Sequence, residues 1–356
     1  MKCPEIPRFV SYVSLVLAFF LSSFSASAEK HPKDVEFNTT EMIMHHISDA
    51  HEFHLWGEGD DAVSVPLPVI LYSPEKGLSA FMSSKFEHGH KEVEGYQLTH
   101  SGQIIDSKGM HSAKAFDLFG DTPIEFIDFS ITKNVFTLLF STLILVLVFG
   151  YVARAYNKRK LQAPKGIQSL LEPLILFVRD DIAISNIGKE KHKKFMPFLL
   201  TVFFFIWLNN LLGLIPFFPG SANLTGNIGF TFVLALATFI VTNINGNKHY
   251  WKHVFATPGI PIPLLVIMIP VEVIGLFTKP FALMVRLFAN ITAGHIIILS
   301  LISLIFAFKN AGWAGLSVPM ALFMNVLELL VAFIQAYVFT LLSALFIGTA
   351  VEEEHH

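Results

Sequence analysis

Cysteine and charge are the two scarcest features of this sequence. Its 356 residues include a single cysteine, Cys3, which excludes an intramolecular disulfide framework and a cysteine-ligated metal cluster. Only 15% of the residues are charged, whereas a soluble domain carries about 25%. The formal net charge is −3, so the chain lacks the overall positive charge that would indicate nucleic acid as a partner.

Hydrophobic residues are abundant instead. They make up 53% of the chain, and phenylalanine alone accounts for 36 positions. An apolar excess of this size over this length predicts a polytopic membrane protein.

The first 28 residues have the layout of a secretory signal peptide. Lys2 and Arg8 precede an apolar run, and Ala26-Ser27-Ala28 offers small residues for cleavage. An uncleaved signal anchor is the alternative. Both interpretations place the following residues outside the cytoplasm.

Residues 29–128 are polar and rich in turn-forming residues, and we expect them to form a small extracytoplasmic N-terminal domain. Four of their histidines are close together in "HHISDAHEFH", namely His45, His46, His51 and His54. Imidazoles bind zinc and copper, but the spacing matches known metal sites only loosely. A solvated or interface-forming face is therefore the favoured interpretation, and no metal site is predicted.

The remaining residues, 129–356, contain long apolar runs. A charge-free run at 134–153 is long enough to cross about 30 Å of hydrocarbon. Arg154 and Lys158 follow it, which indicates that this end is cytoplasmic. A mixed segment at 166–194 predicts a helix lying at the cytoplasmic face. Further membrane helices are predicted at 195–215, 228–244, 261–308 and 317–350.

The last two helices exceed the roughly 20 residues of a perpendicular span, so they must tilt, bend or lie along the membrane. The predicted fold class is an all-α polytopic membrane protein with about five membrane-crossing helices. Two of these are long and tilted, and the cytoplasmic-face helix and the N-terminal domain accompany them. The predicted domains are a signal peptide at 1–28, the extracytoplasmic domain at 29–128 and the membrane domain at 129–356.

Polar residues interrupt the first long helix at regular intervals. Glu272 and Arg286 are fourteen residues apart, with a lysine midway, and so share a face. Asn290 lies one turn beyond Arg286, where it can orient the guanidinium. His295 lies nine residues beyond Arg286, on the opposite side of the helix and about 13 Å further along its axis.

The second long helix carries Glu328 and Gln335, seven residues apart on one face. If the two helices pack as a hairpin, Glu328 can reach His295 and Gln335 can lie near Arg286. Arginine stays protonated, so it can hold a carboxylate of a partner in ionised form but cannot relay a proton. Glutamate and histidine can titrate when partly buried. The pattern describes a proton route with a fixed cation as its barrier, and the moving carboxylate is expected on another subunit.

Two stretches resemble one known family. "RLFANITAGHIIILSLI" (286–302) is similar to the signature around the essential arginine of subunit a of the rotary F-type ATP synthase. "ELLVAFIQAYVFTLLSALFI" (328–347) is similar to the C-terminal helix of its mitochondrial-type members. The resemblance covers about 133 to 350. It implies a non-catalytic proton channel subunit that has no cofactor and lies in the bacterial inner membrane with its C-terminus in the cytoplasm.

The resemblance also implies a role for each matching residue. Arg286 would face the carboxylates of a c-ring of small two-helix subunits, flanked by Asn290 and by Gln335. His295 and Glu328 would share one half-channel, as an exchanged pair of imidazole and acid. The implied partners are the c-ring, the peripheral-stalk b subunits, the lipid bilayer and, indirectly, the F1 head. The coupling ion is a proton or sodium.

The resemblance implies two more sites and one departure. Glu272 would belong to the cytoplasmic half-channel. Where many bacterial members have aspartates in the outer half-channel, this chain has Gly213 and Phe218, so Asn209 and Asn210 are the expected outer entry. The alternatives are an independent ion channel or secondary transporter, and a membrane anchor with a histidine-rich sensor or metal-binding domain.

Overall fold

Long helices and a small group of antiparallel strands make up the computed structural model. It describes residue 43 and residues 47–56, 63–89, 91–99, 102–106, 126–158, 164–215, 218–255, 262–308 and 311–352. The predicted signal peptide, 1–28, lies outside the described residues, as do His45 and His46. The described strands and helices belong to one compact unit, Thr39–His356.

The strands precede the helices and form three small antiparallel sheets, an arrangement that the sequence did not predict. β1 (Glu52–Trp56) pairs with β2 (Val63–Pro66), and β3 (Pro68–Ser73) pairs with both β4 (Gly77–Met82) and β7 (Ile127–Asp128). β5 (Tyr96–Leu98) pairs with β6 (Ile104–Asp106). Alternate residues of β3 are buried, as expected of strands with one face toward a core. We call the described residues 47–128 the β-domain.

The β-domain has its own apolar core. Val69 and Leu71 of β3 are fully buried, and Phe81, Phe86 and Tyr96 pack against them. Phe81 and Phe86 contact each other edge-on, with ring centroids 5.2 Å apart. Phe126 and Ile104 complete this cluster.

The helices that follow agree closely with the sequence predictions. α1 spans Lys133–Lys158, and α2 (Ile167–Phe177) continues through a π-helical turn, Val178–Ile184, into α3 (Ser185–Ile187). The remaining helices are α4 (His192–Leu214), α5 (Ile228–Ile244), α6 (Lys248–Phe255), α7 (Ile262–Ala307) and α8 (Ala314–Val351). Leu224–Gly226 forms a short 3₁₀ turn before α5.

Four of the described helices are long and apolar enough to cross a membrane: α1, α4, α7 over Leu264–Ile305, and α8. A fifth crossing is possible if α5 and α6, which meet at an angle of 105°, count as one bent span. The predicted fold class, with its two long C-terminal helices, is therefore confirmed. Pro270 and Pro280 lie inside α7, which is assigned as helix without a break.

Candidate functional site

His295 and Glu328 form a buried ionisable pair between α7 and α8. Nδ1 of His295 lies 3.3 Å from Oε1 of Glu328, and the Glu328 side chain is 4% exposed. The contact between α7 and α8 expected from sequence is present. Neither carboxyl oxygen accepts a hydrogen bond from a described residue. A buried ionised carboxyl without donors is costly, so this group requires a proton, water or a protonated imidazole.

One glycine, Gly294, leaves room for this pair, and a second, Gly213, lies beside it. A Cβ atom placed on Gly294 would lie only 2.7 Å from Oε1 of Glu328, so the carboxyl group occupies the space that any larger side chain would take. A Cβ atom on Gly213 of α4 would lie 3.6 Å from Nε2 of His295, which is ordinary van der Waals contact. Sequence reasoning missed Gly294; a glycine inside a helical pattern, next to an ionisable residue, was the available signal.

Arg286 lies on a different side of α7. It is exposed, as are Asn290 and the three alanines Ala282, Ala289 and Ala293, whereas Leu283 and Leu287 face the core. Among the described residues, Arg286 makes no hydrogen bond or ion pair, including with Asn290. The predicted separation of Arg286 from His295 on the helix therefore matches the structure.

Gln335 is buried on α8, at 6% exposure. Within the described part of the chain, no hydrogen bond joins it to Arg286. The two residues lie on the two helices that pack together, but one points into the bundle and the other is exposed. The expected proximity of Gln335 to Arg286 therefore stays a prediction.

The two predicted outer-entry asparagines are both buried on α4 but differ in their contacts. Asn210 accepts a hydrogen bond from Thr225 Oγ1 (2.7 Å) and donates one to the carbonyl of Ala332 (3.0 Å). It therefore ties α4, the α4–α5 connection and α8 together. Asn209 donates to the carbonyl of Phe205, and its Oδ1 atom has no partner among the described residues. A buried acceptor of this kind suits an ordered water.

A small cleft lies between α5, α6, α7 and α8. It offers about 20 Å³ to water-sized molecules, and Thr238, Asn243, Tyr250 and Lys279 add polar groups to walls that are otherwise mostly apolar. The Tyr250 hydroxyl donates to Asn243 Oδ1 at 3.2 Å. Glu272 lies on α7, one helical turn before Leu276, which lines this cleft. Glu272, half-buried, is thus placed apart from the His295–Glu328 pair, next to this cleft.

The described residues contain no group of three or more histidine, cysteine, aspartate or glutamate side chains that could hold a metal ion. His51 has a structural position instead. It is 5% exposed, its Nδ1 lies 3.1 Å from the carbonyl of Gly102, and its Nε2 lies 3.3 Å from Oδ2 of Asp128. Burial opposes ionisation of Asp128, but hydrogen bonds from His51 and Ser130 hold the pKa of Asp128 below its usual value.

These features define a class of protein: a multi-pass membrane protein with an ionisable pair buried between two long helices and an unpaired arginine on its surface. Sequence comparison then supplies the family. The sequence model described as "ATP synthase A chain" matches residues 135–348, which is more than half of the chain. The chain belongs to this family.

Individual relatives agree with the family match. ATP synthase subunit a of Chlorobium phaeobacteroides (strain BS1) is 48% identical over 283 residues, which is 76% of this chain and 80% of that protein. The same-named proteins of Chloroherpeton thalassium and Myxococcus xanthus are 52% and 48% identical, covering 64% and 65% of this chain and 69% and 76% of their own length. A separate model, a domain of unknown function (DUF8433), matches residues 42–126.

Proposed function

We propose that the chain is the stator channel subunit in the membrane Fo sector of an ATP synthase. In this role it does not catalyse ATP synthesis itself. It passes protons through two offset half-channels to and from a c-ring of small two-helix subunits, and it couples this flow to rotation and ATP synthesis. Peripheral-stalk b subunits hold it in place, and the F1 head is an indirect partner.

The observation that carries the proposal is the exposed, unpaired position of Arg286 in an apolar helix. A charge at mid-membrane costs roughly 2.5–3.5 kcal/mol or more, so such residues face a partner or an aqueous path. The exposed alanines Ala282, Ala289 and Ala293 beside it are small enough to let another helix approach closely. A carboxylate on that helix would be held ionised by the guanidinium, which itself releases no proton.

The buried pair and the cleft beside Lys279 are the proposed half-channels on either side of this cation. His295 and Glu328 can exchange a proton after a slight approach or through one water, because both side chains titrate and their polar atoms are 3.3 Å apart. Glu272 and the neighbouring cleft would form the opposite half-channel. Gln335 and Asn290 would border the carboxylate site. Asn209, with its unpaired buried oxygen, is a candidate for the entry path.

The orientation of the bundle supports a cytoplasmic C-terminus in a bacterial inner membrane. Lys191 Nζ donates to the carbonyl of Val351 at 2.7 Å, and Lys194 Nζ donates to Asn245 Oδ1 at 2.6 Å. The basic start of α4 therefore lies at the same end as the C-terminus of α8. The β-domain joins the start of α1 instead, where Lys133 N donates to the carbonyl of Ala50 at 2.9 Å. Basic residues mark cytoplasmic ends, so the β-domain is proposed to be periplasmic.

The test replaces Arg286 and measures proton flux in inverted membrane vesicles. Arg286→Ala is expected to abolish ATP-driven pumping, because the ring carboxylate loses its countercharge. It is also expected to allow passive proton leakage once the F1 head is stripped off, driven by roughly 2.3 kcal/mol per charge for each 100 mV. Arg286→Lys should restore little coupling, because an ammonium in a low-dielectric membrane site can lose its proton.

Arg154→Ala is the matched control, since it removes an exposed arginine of α1 by the same substitution. We expect it to pump normally. Each variant should also co-purify with the ring subunits, which an independent channel or transporter would not require. Normal coupled pumping by Arg286→Ala would contradict the proposal.

A further inference from the structure

The β-domain is attached to the helical part through an aromatic cluster. Phe53 of β1 is 1% exposed, and its ring contacts Phe136 of α1 and Phe218 of the α4–α5 connection edge-on. The centroid distances are 5.5 Å and 5.3 Å, and Phe136 and Phe218 are 5.5 Å from each other. Buried Leu67 and Ala222 belong to the same cluster. One strand side chain thus bridges two separate membrane elements.

Hydrogen bonds hold the same junction. Asp49 Oδ1 accepts from the backbone N–H of Asn134 at 3.2 Å, and the carbonyl of Ala50 accepts from that of Lys133 at 2.9 Å. The first backbone N–H groups of a helix have no partner within the helix. The β-domain therefore caps α1 while Phe53 packs against its first turn, and its position on the bundle is defined by both contacts.

The connection that Phe53 contacts approaches the His295–Glu328 pair across Gly213 of α4. A Cβ atom on Gly213 would lie 3.5 Å from the carbonyl oxygen of Ala222 and 3.6 Å from Nε2 of His295. Thr225 bonds Asn210 at 2.7 Å, and the carbonyl of Gly226 lies 3.5 Å from Thr292 Oγ1 of α7. Residues 218–226 therefore lie between the β-domain and the ionisable pair, in contact with both α4 and α7.

We infer that the β-domain is a positioning element of the proton path, with Phe53 as its anchor. This inference rests on the proposed function. The β-domain holds residues 218–226 in place, and these residues form the wall of the outer half-channel next to His295. When Phe53 is removed, this wall loses its outer support, and the access route to the pair changes shape. Proton transfer tolerates displacements of only a fraction of an ångström, and 1 Å can cost about 10²-fold in rate.

The first measurement asks whether Phe53 covers the connection. In a background with Cys3 replaced by serine, Ala222→Cys places a thiol at a position that is 0% exposed. We expect it to resist a membrane-impermeant maleimide in intact complexes and to react when Phe53→Ala or Phe218→Ala is added. Phe53→Leu keeps an apolar anchor and should restore protection. Tyr72→Ala, which truncates an exposed aromatic residue of β3, is the control.

The second measurement is passive proton flux through vesicles stripped of the F1 head. We expect Phe53→Ala and Phe218→Ala to lower this flux about tenfold at normal subunit abundance, and Phe53→Leu to recover most of it. Wild-type flux in the alanine variants would overturn the inference, whether or not the thiol becomes reactive. Arg286→Ala is measured in parallel: if it leaves coupling intact, the proposed function itself has failed, and if it alone alters coupling, only the role of the β-domain has failed.

Discussion

Gly294 offers the sharpest test of the geometry around the buried pair. Substitution by alanine would place a Cβ atom 2.7 Å from Oε1, 3.0 Å from Cδ and 3.4 Å from Cγ of Glu328. Non-bonded heavy atoms prefer about 3.5 Å or more, so the carboxyl group must retreat by roughly 0.8 Å from its 2.7 Å separation. Its side chain is 4% exposed, which leaves little free space for that movement.

The cost to proton transfer follows from the starting distance. Transfer requires donor and acceptor within about 2.6–3.2 Å or one intervening water, and the His295–Glu328 separation is already 3.3 Å. A shift of roughly 0.8 Å should therefore slow proton delivery by more than about tenfold, by comparison with a loss of about 10²-fold for 1 Å. The assay is proton flux through stripped vesicles, together with ATP-driven pumping in intact ones.

Gly213→Ala is the control for this prediction. Its new methyl group would lie on the other side of the imidazole, 3.6 Å from Nε2 of His295, where contact is ordinary. We expect its flux to stay within about twofold of wild type. If Gly294→Ala conducts as well as Gly213→Ala, the carboxyl position seen here does not govern proton transfer.

Two further predictions concern the β-domain. With Cys3 removed, Ala80→Cys should react with an impermeant reagent from the periplasmic side, because Ala80 is exposed on β4. Ser79→Cys is the control and should react slowly, because Ser79 is 7% exposed. Reaction of Ala80→Cys only from the cytoplasmic side would reverse the proposed topology. The lowered pKa of Asp128 implies stability that is present above pH 3.8, the usual value, and is lost as the pH falls through the pKa of the folded state. Asp128→Asn should therefore destabilise the domain by roughly 1–3 kcal/mol near neutral pH and remove this acid dependence. Hydrogen exchange of the β-strand amides around His51 measures both effects. An unchanged acid profile in the variant would contradict the role given to Asp128.

Local properties of the chain determined the helices and the polar pattern on them. Membrane helices can be predicted because the hydropathy and length of one segment suffice to identify them. The predicted bounds of α4 and α5 accordingly agree closely with the observed ones. The opposite placement of Arg286 and His295 follows from helical periodicity alone. The hairpin of α7 and α8 then brings His295 to Glu328, a contact that periodicity and a short connection made predictable.

Contacts between distant segments were decided only by the tertiary structure. The sequence marked Asn210 as a polar residue in an apolar helix, but its partners, Thr225 and the carbonyl of Ala332, come from two other elements. Phe53 was one of many phenylalanines, and its burial between Phe136 and Phe218 depends on how the strands meet the bundle. Such packing is set by three-dimensional complementarity between elements far apart in the chain, which no local pattern encodes.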